Sequence, residues 1–285
     1  MLGVLHHDTY FDRMRASLGS KTKLLAWLAP GTVLDVGAGD GSLVRLMRSA
    51  GWDAVGLDAA ETSVERSGGL VRYGRAEDAD QVFAGRTFDN IVFCSALHEV
   101  WSYGAGQASW EAALDAAARL LAPGGRIVVR DGVGPKAPDE LWQLTVRDPG
   151  DASAFLAAWT AQMAPLLGTA KLGMVGDYLY GPAWLVAEFL LTYCWGWDSL
   201  PREGSEWYTV AGDPASYARR LERRTGLRLL HFEQELQDGY RDAFGRIGRL
   251  RELTSRGWGR VDWPKSNAIW VLGTPRPEPE GAHHG

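Results

Sequence analysis

The sequence contains few of the features that staple secreted domains or anchor membrane proteins. Its 285 residues include only two cysteines, which is typical of free thiols in a reducing compartment. The two most apolar stretches, 153–168 and 182–194, are short for a bilayer, and Gln162 and Glu188 interrupt them. The N-terminus has neither the basic start nor the long apolar core of a signal peptide. We therefore expect a cytoplasmic protein without a membrane segment.

The chain also lacks an excess of basic residues. It carries 30 lysine and arginine residues against 35 aspartate and glutamate residues, a formal net charge of −5. Nucleic-acid-binding domains are usually basic, so a nucleic acid partner is not expected. No group of cysteines and histidines has the spacing of a zinc site, and no metal is expected. An apolar fraction of 46% indicates an ordinary folded chain.

A regular alternation of apolar runs and helical segments fills the first 131 residues. The apolar runs predict five strands: Thr32–Val36, Ala54–Leu57, Leu70–Tyr73, Phe88–Phe93 and Arg126–Arg130. Because parallel strands need crossover connections, helices between such runs indicate a parallel sheet that is covered on both faces. Two later runs, Leu227–Phe232 and Ala268–Leu272, predict strands that complete a seven-stranded, mostly parallel α/β sheet.

The segment between these two groups of strands is predicted to be mainly helical and is rich in aromatic residues. Six of the 13 tryptophans fall in it: Trp142, Trp159, Trp184, Trp195, Trp197 and Trp207. Such side chains line substrate pockets, but they are equally common in cores and dimer interfaces, so these interpretations and a homodimer stay open. The expected domains are an N-terminal helical segment (1–30), a ligand-binding core (31–132), a helical substrate cap (133–213), the remainder of the core sheet (214–273) and a disordered tail (274–285).

The most informative motif follows the first predicted strand. Asp35 and Val36 precede a loop with glycines at 37, 39 and 41, which permit a tight turn and a close approach to a ligand. Asp58 ends the next strand, where nucleotide-binding α/β folds place a carboxylate for ribose. Asp35 would repel a diphosphate, but it suits S-adenosylmethionine (SAM), which carries a sulfonium and an ammonium and no phosphate. The loop therefore favours SAM over a dinucleotide.

Five segments, in the right order, resemble the motifs of the class I SAM-dependent methyltransferases. They are Val33–Gly41, Gly56–Asp58, Gly74–Asp78, Phe88–Phe93 and Leu121–Arg126. The resemblance covers about residues 30–131 and the two late strands. It implies a Rossmann-like sheet, SAM as the cofactor and methyl transfer at the carboxyl ends of the strands.

The resemblance also implies which residues bind SAM. The expected set is Tyr10, Arg13, Asp35, Gly37, Ala38, Gly39, Asp58, Ala59, Ala76, Glu77, Cys94 and Ser95. Tyr10 and Arg13 would cover SAM or contact its carboxylate, and Asp58 would hold the ribose hydroxyls. Arg75 stands where the family usually has an aspartate that contacts adenine. Adenine is therefore read by Glu77 or by Asp78, or it is stacked by Arg75, and these alternatives stay open.

Polar residues after the fourth and fifth predicted strands are the expected catalytic groups. His98 is the first candidate for a general base, because an unperturbed imidazole titrates near neutrality, and a merely positional role is an equal alternative. Glu99 would orient it or bind a cationic acceptor, and Tyr103 and Asp131 are second choices. Arg130 is expected to form a salt bridge with a neighbouring aspartate.

Missing motifs narrow the acceptor. The Asn/Asp-Pro-Pro-Tyr motif of amine-directed DNA methyltransferases and the Pro-Cys nucleophile of cytosine methyltransferases are absent, and no Lys-Asp-Lys-Glu set of ribose methyltransferases can be placed. The leading hypothesis is methylation of O or N of a small, largely apolar or aromatic acceptor in secondary metabolism. The alternatives are an RNA or nucleotide methyltransferase and a SAM-binding protein that does not methylate.

Overall fold

Two β-sheets organise the chain, which the computed structural model describes over residues 18–274. The first half alternates strands and helices as the sequence predicts. Its elements are α1 (Leu18–Lys21), β1 (Thr32–Val36), α2 (Ser42–Ser49), β2 (Asp53–Asp58), α3 (Glu61–Arg66), β3 (Val71–Tyr73), α4 (Ala79–Val82), β4 (Phe88–Cys94), α5 (Leu97–Tyr103), α6 (Gln107–Leu120) and β5 (Leu121–Asp131). After α1 the chain turns into a 3-10 helix over Thr22–Trp27.

The second half builds the other sheet and then returns to the first. Its elements are β6 (Leu141–Val146), α7 (Pro149–Leu167), β7 (Gly173–Val175), β8 (Tyr178–Pro182), α8 (Ala183–Tyr193), α9 (Leu200–Glu203), α10 (Pro214–Thr225), β9 (Arg228–Glu235), α11 (Asp238–Ile247), β10 (Gly248–Thr254), β11 (Gly257–Arg260) and β12 (Asn267–Gly273). Among these helices and those of the first half, none combines the length and apolarity that crossing a bilayer requires.

The core sheet has seven strands in the order β3-β2-β1-β4-β5-β12-β9. All neighbouring pairs from β3 to β5 are parallel, whereas β12 runs antiparallel to both β5 and β9. β4 lies near the centre and is almost entirely buried, which explains why its sequence is a continuous apolar run. The predicted seven-stranded, mostly parallel α/β sheet is confirmed.

The cap, residues 133–213, contains strands as well as the predicted helices. Its strands β6, β8 and β7 join β10 and β11 in an antiparallel sheet of order β11-β10-β6-β8-β7. Residues 214–273 are therefore divided: β9 and β12 complete the core sheet, while β10 and β11 pair with the cap. The short, polar strands of this second sheet lack the long apolar runs from which the sequence predicted the core strands, so only tertiary pairing reveals them.

Apolar side chains form separate cores on the two faces of the core sheet and inside the cap. α6 and α10 cover one face, where Trp110 and Trp270 are buried, and α2 covers the other with Met47. The third core, inside the cap, includes Trp159 and Phe189, both fully buried. Part of the tryptophan-rich segment thus serves as the core of the cap.

Helix α10 shows how local sequence sets an element's limits. The Asp213 side chain accepts a hydrogen bond from Ser216 N (2.8 Å), and Pro214 occupies the first turn. Gly226 ends the helix with φ of 70° and donates its N–H to Glu222 O (2.9 Å). These caps fix where the chain turns back toward β9.

Candidate active site

The glycine loop after β1 is folded against the end of β2. The N–H groups of Gly37 and Ala38 both donate to Leu57 O, at 2.8 and 3.0 Å. Gly37 has φ of 76°, and a Cβ there would stand 2.6 Å from the Ala96 side chain. A residue with a side chain would be strained at this position and would push the β4–α5 loop away. The loop is thereby held open above the carboxyl ends of the strands.

Asp58 fixes the other side of this loop. Its Oδ2 accepts from Gly39 N (2.8 Å) and its Oδ1 from Ala60 N (2.9 Å), so both carboxylate oxygens are oriented by backbone. Asp58 borders a cavity of about 460 Å³, the glycine-loop cavity, whose walls include Gly37, Leu57, Asp58, Ala59, Ala60, Gly74, Arg75, Ala76, Glu77, Ala96, Glu99, Val100, Tyr103, Gly104 and Arg202.

Asp35 supplies a test of whether a cationic cofactor fits. The residue is 1% exposed, and among residues 18–274 its Oδ1 accepts no hydrogen bond. Burial raises its pKa to about 7, against the opposing charge of Lys21. An unsatisfied buried carboxylate is costly unless a donor reaches it. Asp35 is not among the residues that line the glycine-loop cavity, but it lies two residues before Gly37, which does line it. The ammonium of a SAM methionine group that reached this oxygen would satisfy it, whereas a diphosphate would not, so the residues present fit SAM.

The adenine end of the cavity bears on the alternatives left by the sequence. Arg75 Nη2 donates to Glu77 Oε1 (2.7 Å), and both side chains line the glycine-loop cavity. Burial opposes the ionised form of Glu77, but Arg75 outweighs it and lowers the pKa of Glu77. Asp78 instead accepts from Gln81 Nε2 (3.3 Å) and is not part of the cavity wall. The structure therefore brings Arg75 and Glu77, but not Asp78, to this cavity.

His98 is held by Asp131 at the point where β4 and β5 end. The Asp131 carboxylate accepts from His98 N (3.0 Å), and its Oδ1 lies 2.5 Å from His98 Nδ1. Asp131 also accepts from Gly132 N (2.8 Å), and both side chains are at most 5% exposed. Burial disfavours the imidazolium, but the Asp131 and Glu206 carboxylates outweigh it and raise the pKa of His98 well above its ordinary value.

Arg202 and Glu206 complete this cluster, and the sequence did not single out Glu206. Glu206 Oε2 lies 3.5 Å from His98 Nε2, and Glu206 Oε1 accepts from Tyr103 OH (2.8 Å). Arg202 lies 3.6 Å from Glu206 and 3.8 Å from Glu99. His98 and Arg202 lower the pKa of Glu206 despite its burial. Both residues come after α8 and lie more than a hundred positions from His98 along the chain. No local sequence pattern could therefore predict that they contact His98.

Glu99 joins His98 and Glu206 in a group with a further chemical possibility. Burial and the Glu206 charge raise the pKa of Glu99 to about 7. One ligand atom from each of the three lies within 4.8 Å of the others, so the group could hold a cation, although the sequence predicted no metal site. Tyr103 is 54% exposed, and burial of its hydroxyl beside Glu206 raises its pKa.

A second cavity, the cap cavity, of about 150 Å³ lies between the core sheet and the cap. Its walls include Lys21, Ser95, His98, Glu99, Arg130, Asp131, Gly132, Leu191, Trp195, Arg202, Glu203, Glu206, Tyr208, Gln237, Tyr240, Ser266 and Asn267. Glu99 and Arg202 line both cavities, so the two spaces adjoin. The cap cavity has aromatic walls, as expected, but it carries more charged groups than the expected largely apolar pocket.

Some of the residues that were predicted to bind SAM are not among those that line the glycine-loop cavity. Cys94 is buried in the core beside Val92 and Val128, and it lines neither cavity. Ser95 lines the cap cavity and adopts φ of 57°, which is unusual for a residue with a side chain. Tyr10 and Arg13 lie outside the described residues.

The prediction that Arg130 forms a salt bridge with a neighbouring aspartate is wrong. Its guanidinium donates to Ser95 Oγ and Ser20 Oγ, both at 3.3 Å, and it pairs with no carboxylate among residues 18–274. The reason is geometric, because Arg130 and Asp131 are successive residues of a strand and point to opposite faces of the sheet. Asp131 therefore reaches His98, while Arg130 faces the side of α1.

The fold and the cavity are those of a Rossmann-like SAM-binding enzyme. They combine a seven-stranded sheet that has one antiparallel strand with a glycine loop and a cavity lined by carboxylates. A family model described as a methyltransferase domain matches residues 10–162, more than half of the chain. The chain belongs to the methyltransferase family and is a class I, SAM-dependent enzyme. No curated protein sequence matches it.

Solved structures resemble the chain at low sequence identity. A methyltransferase in complex with the Trm112 activator of Haloferax volcanii is 14% identical, with a TM-score of 0.50, covering 93% of this chain and 95% of the other. The CcbJ methyltransferase of Streptomyces caelestis is 14% identical with a TM-score of 0.46, covering 89% and 87%. The glycopeptide N-methyltransferase MtfA bound to S-adenosyl-L-homocysteine is 13% identical with a TM-score of 0.45, covering 90% and 86%.

Proposed function

We propose that this enzyme methylates an oxygen or nitrogen of a small molecule held in the cap cavity, with His98 as the general base. The observation that carries the proposal is the position of His98. It lines the cap cavity, and the next residue, Glu99, lines the glycine-loop cavity as well. A base at this junction stands where donor and acceptor must meet. Tailoring of a small biosynthetic intermediate suits a cavity of about 150 Å³ with aromatic walls.

The residues around the glycine-loop cavity have distinct roles toward SAM. Asp58 accepts the ribose hydroxyls, Asp35 receives the ammonium, and Ala76 and Glu77 border the adenine. SAM supplies a methyl group on a sulfonium, which a nucleophile must approach in line. The contribution of the protein is therefore mainly to position the acceptor about 3 Å from this methyl group and to remove its proton.

Asp131 prepares His98 for this proton transfer. Its carboxylate engages Nδ1, so the proton that His98 exchanges with an acceptor is carried at Nε2, which also lies 3.5 Å from Glu206 Oε2. Because the pKa of His98 is raised, the imidazole is protonated near neutrality and becomes a base only after that proton is lost. The rate of transfer should therefore rise with pH and level off above the pKa of His98.

The first experiment asks where the methyl group goes. Purified enzyme is incubated with methyl-labelled SAM and, separately, with a small-molecule extract and with RNA. We expect label in the small-molecule fraction. Label in RNA would replace the proposed acceptor with a nucleic acid, and label in neither fraction would favour a SAM-binding protein that does not methylate.

The second experiment tests His98 on the accepted fraction. His98→Gln should lower kcat by about 10²–10⁴-fold and remove the rise of rate with pH, since a lost general base costs that much. S-adenosylhomocysteine (SAH) should bind the variant as it binds the wild type. His231→Gln, which removes a histidine from β9 outside both cavities, is the matched control. An unchanged pH profile in His98→Gln would assign His98 a positional role.

A further inference from the structure

Arg130 is a buried cation in the wall of the cap cavity, and it has no anionic partner among the residues that the structure describes. Arg130 is 2% exposed and lines this cavity. Its two terminal nitrogens donate only to serine hydroxyls, and within residues 18–274 its Nε has no hydrogen-bond partner. A buried guanidinium without a carboxylate is unfavourable, and its fork of donors matches a carboxylate or a phosphate. Lys21 lines the same cavity and adds positive charge.

A buried carboxyl group, that of Glu203, lines the same cavity, and burial together with the Glu206 charge raises its pKa to about 8. Glu203 is 9% exposed, and across the described part of the chain its carboxylate has neither a hydrogen-bond nor an ion-pair partner. Glu206 lies three residues further along the chain, but its carboxylate contacts His98, Tyr103 and Arg202. Glu203 is therefore a buried carboxyl group without an ion-pair partner among the described residues, and an ammonium group that entered the cavity would favour its ionised form.

Two aromatic side chains, Trp195 and Tyr240, line the same cavity as Glu203 and Arg130. Trp195 meets Tyr240 edge to face, with ring centroids 5.5 Å apart, and both line the cavity. Aromatic faces beside carboxylates suit an ammonium group, because the ring quadrupole and the negative charge attract it together.

We propose that the acceptor is a small zwitterion of the α-amino-acid type, whose carboxylate pairs with Arg130 and whose amine lies on the Glu203 side. This proposal rests on the proposed function and specifies its substrate class. A cavity of about 150 Å³ is the size that holds benzene in another protein, so the acceptor is small. Neither an uncharged metabolite nor a simple amine would pair with both Arg130 and Glu203.

The reaction balances as N-methylation. The ammonium of the acceptor loses one proton to His98 Nε2, which frees the nitrogen lone pair. A new N–C bond forms as the S–CH₃ bond breaks, and the electron pair of that bond stays on sulfur as a neutral thioether. The product is an N-methylated ammonium with its carboxylate unchanged. His98 then releases its proton to solvent.

An anion on Arg130 has two sources, the acceptor and the methionine carboxylate of SAM. Calorimetry with SAH and acceptor kinetics distinguish them. Arg130→Gln should raise the KM of the amino acid by about 10–100-fold, as expected for a lost charged hydrogen bond, and leave the SAH Kd unchanged. Arg130→Lys should recover part of the KM, and Arg256→Gln, on the exposed β10–β11 turn, is the matched control. A weakened SAH Kd with an unchanged acceptor KM would assign Arg130 to SAM and overturn the proposal.

Substrate analogues test the same idea on the wild-type enzyme, so a variant that fails to fold does not decide it. Label transfer is measured with pools of common α-amino acids, of the same amines without the carboxylate, and of the same acids without the amine. We expect label in the amino-acid pool alone. Equal labelling of the amine pool, or labelling of the acid pool, would overturn the zwitterion. Label only in a general metabolite extract would overturn it and keep the proposed function, whereas no label in any small-molecule fraction would defeat both.

Discussion

Asp35 makes the affinity for the cofactor depend on pH. In the ligand-free enzyme its pKa is about 7, because the carboxylate is buried with one oxygen unsatisfied. The ammonium of SAM or SAH requires the ionised form. Between pH 6 and pH 7.5 the ionised fraction rises from about a tenth to about three quarters, so the SAH Kd should fall by about eightfold and binding should release a proton.

The sign of the stability effect follows from the same shift. The folded-state pKa of Asp35 lies above its ordinary value of 3.8, so the folded chain keeps a proton that the unfolded chain has released. This contribution is complete below about pH 4 and is lost as the pH rises through about 7. Thermal unfolding of the ligand-free enzyme should therefore show a midpoint that decreases over this interval, and SAH should oppose the decrease.

Asp35→Asn is the decisive variant. It preserves the shape of the side chain and removes its titration, so the SAH Kd should become nearly independent of pH between 6 and 7.5. Calorimetry in two buffers of different ionisation enthalpy measures both the Kd and the released proton. Asp53→Asn, an exposed position on β2, should keep the wild-type profile. A pH dependence that survives Asp35→Asn would refute the assignment of Asp35 to the ammonium.

Three further substitutions have defined outcomes. Asp58→Ala should weaken SAH by tenfold or more in calorimetry, since a charge-assisted hydrogen bond of about 1.5–3 kcal/mol is lost, whereas an unchanged Kd would remove Asp58 from the ribose site. Gly37→Ala should lower stability by about 1–3 kcal/mol in denaturant unfolding, because φ is 76° and the new Cβ meets Ala96, and an unaltered midpoint would contradict the strain. Phe189→Ala should cost about 3–5 kcal/mol through a cavity in the cap, and a loss below 1 kcal/mol would mean that this core is loosely packed.

The core sheet was predictable because its signals are local. The strand β1 has the predicted bounds, Thr32–Val36, since buried parallel strands are continuous apolar runs. The second sheet was missed because β10 and β11 are polar and lie far along the chain from β6. Nothing in residues 248–260 by itself indicates pairing with residues 141–146.

The same division separates the two halves of the candidate site. The glycine loop and Asp58 lie within one βαβ unit, so spacing along the chain was enough to predict that they meet. The partners of His98 come from the end of β5 and from the segment after α9, so sequence reasoning proposed Asp131 by topology and did not find Glu206.

By itself, the sequence determined the strands of the core sheet, the glycine loop and the class of cofactor, because the signals for these features are local. Tertiary structure alone decided the pairing of β12 with β5, the second sheet, the engagement of His98 by Glu206 and the presence of Arg130 and Glu203 in one cavity. Burial and charge pairing arise only when distant segments pack together, and they set the protonation of these groups and the chemistry that the cavity can accept.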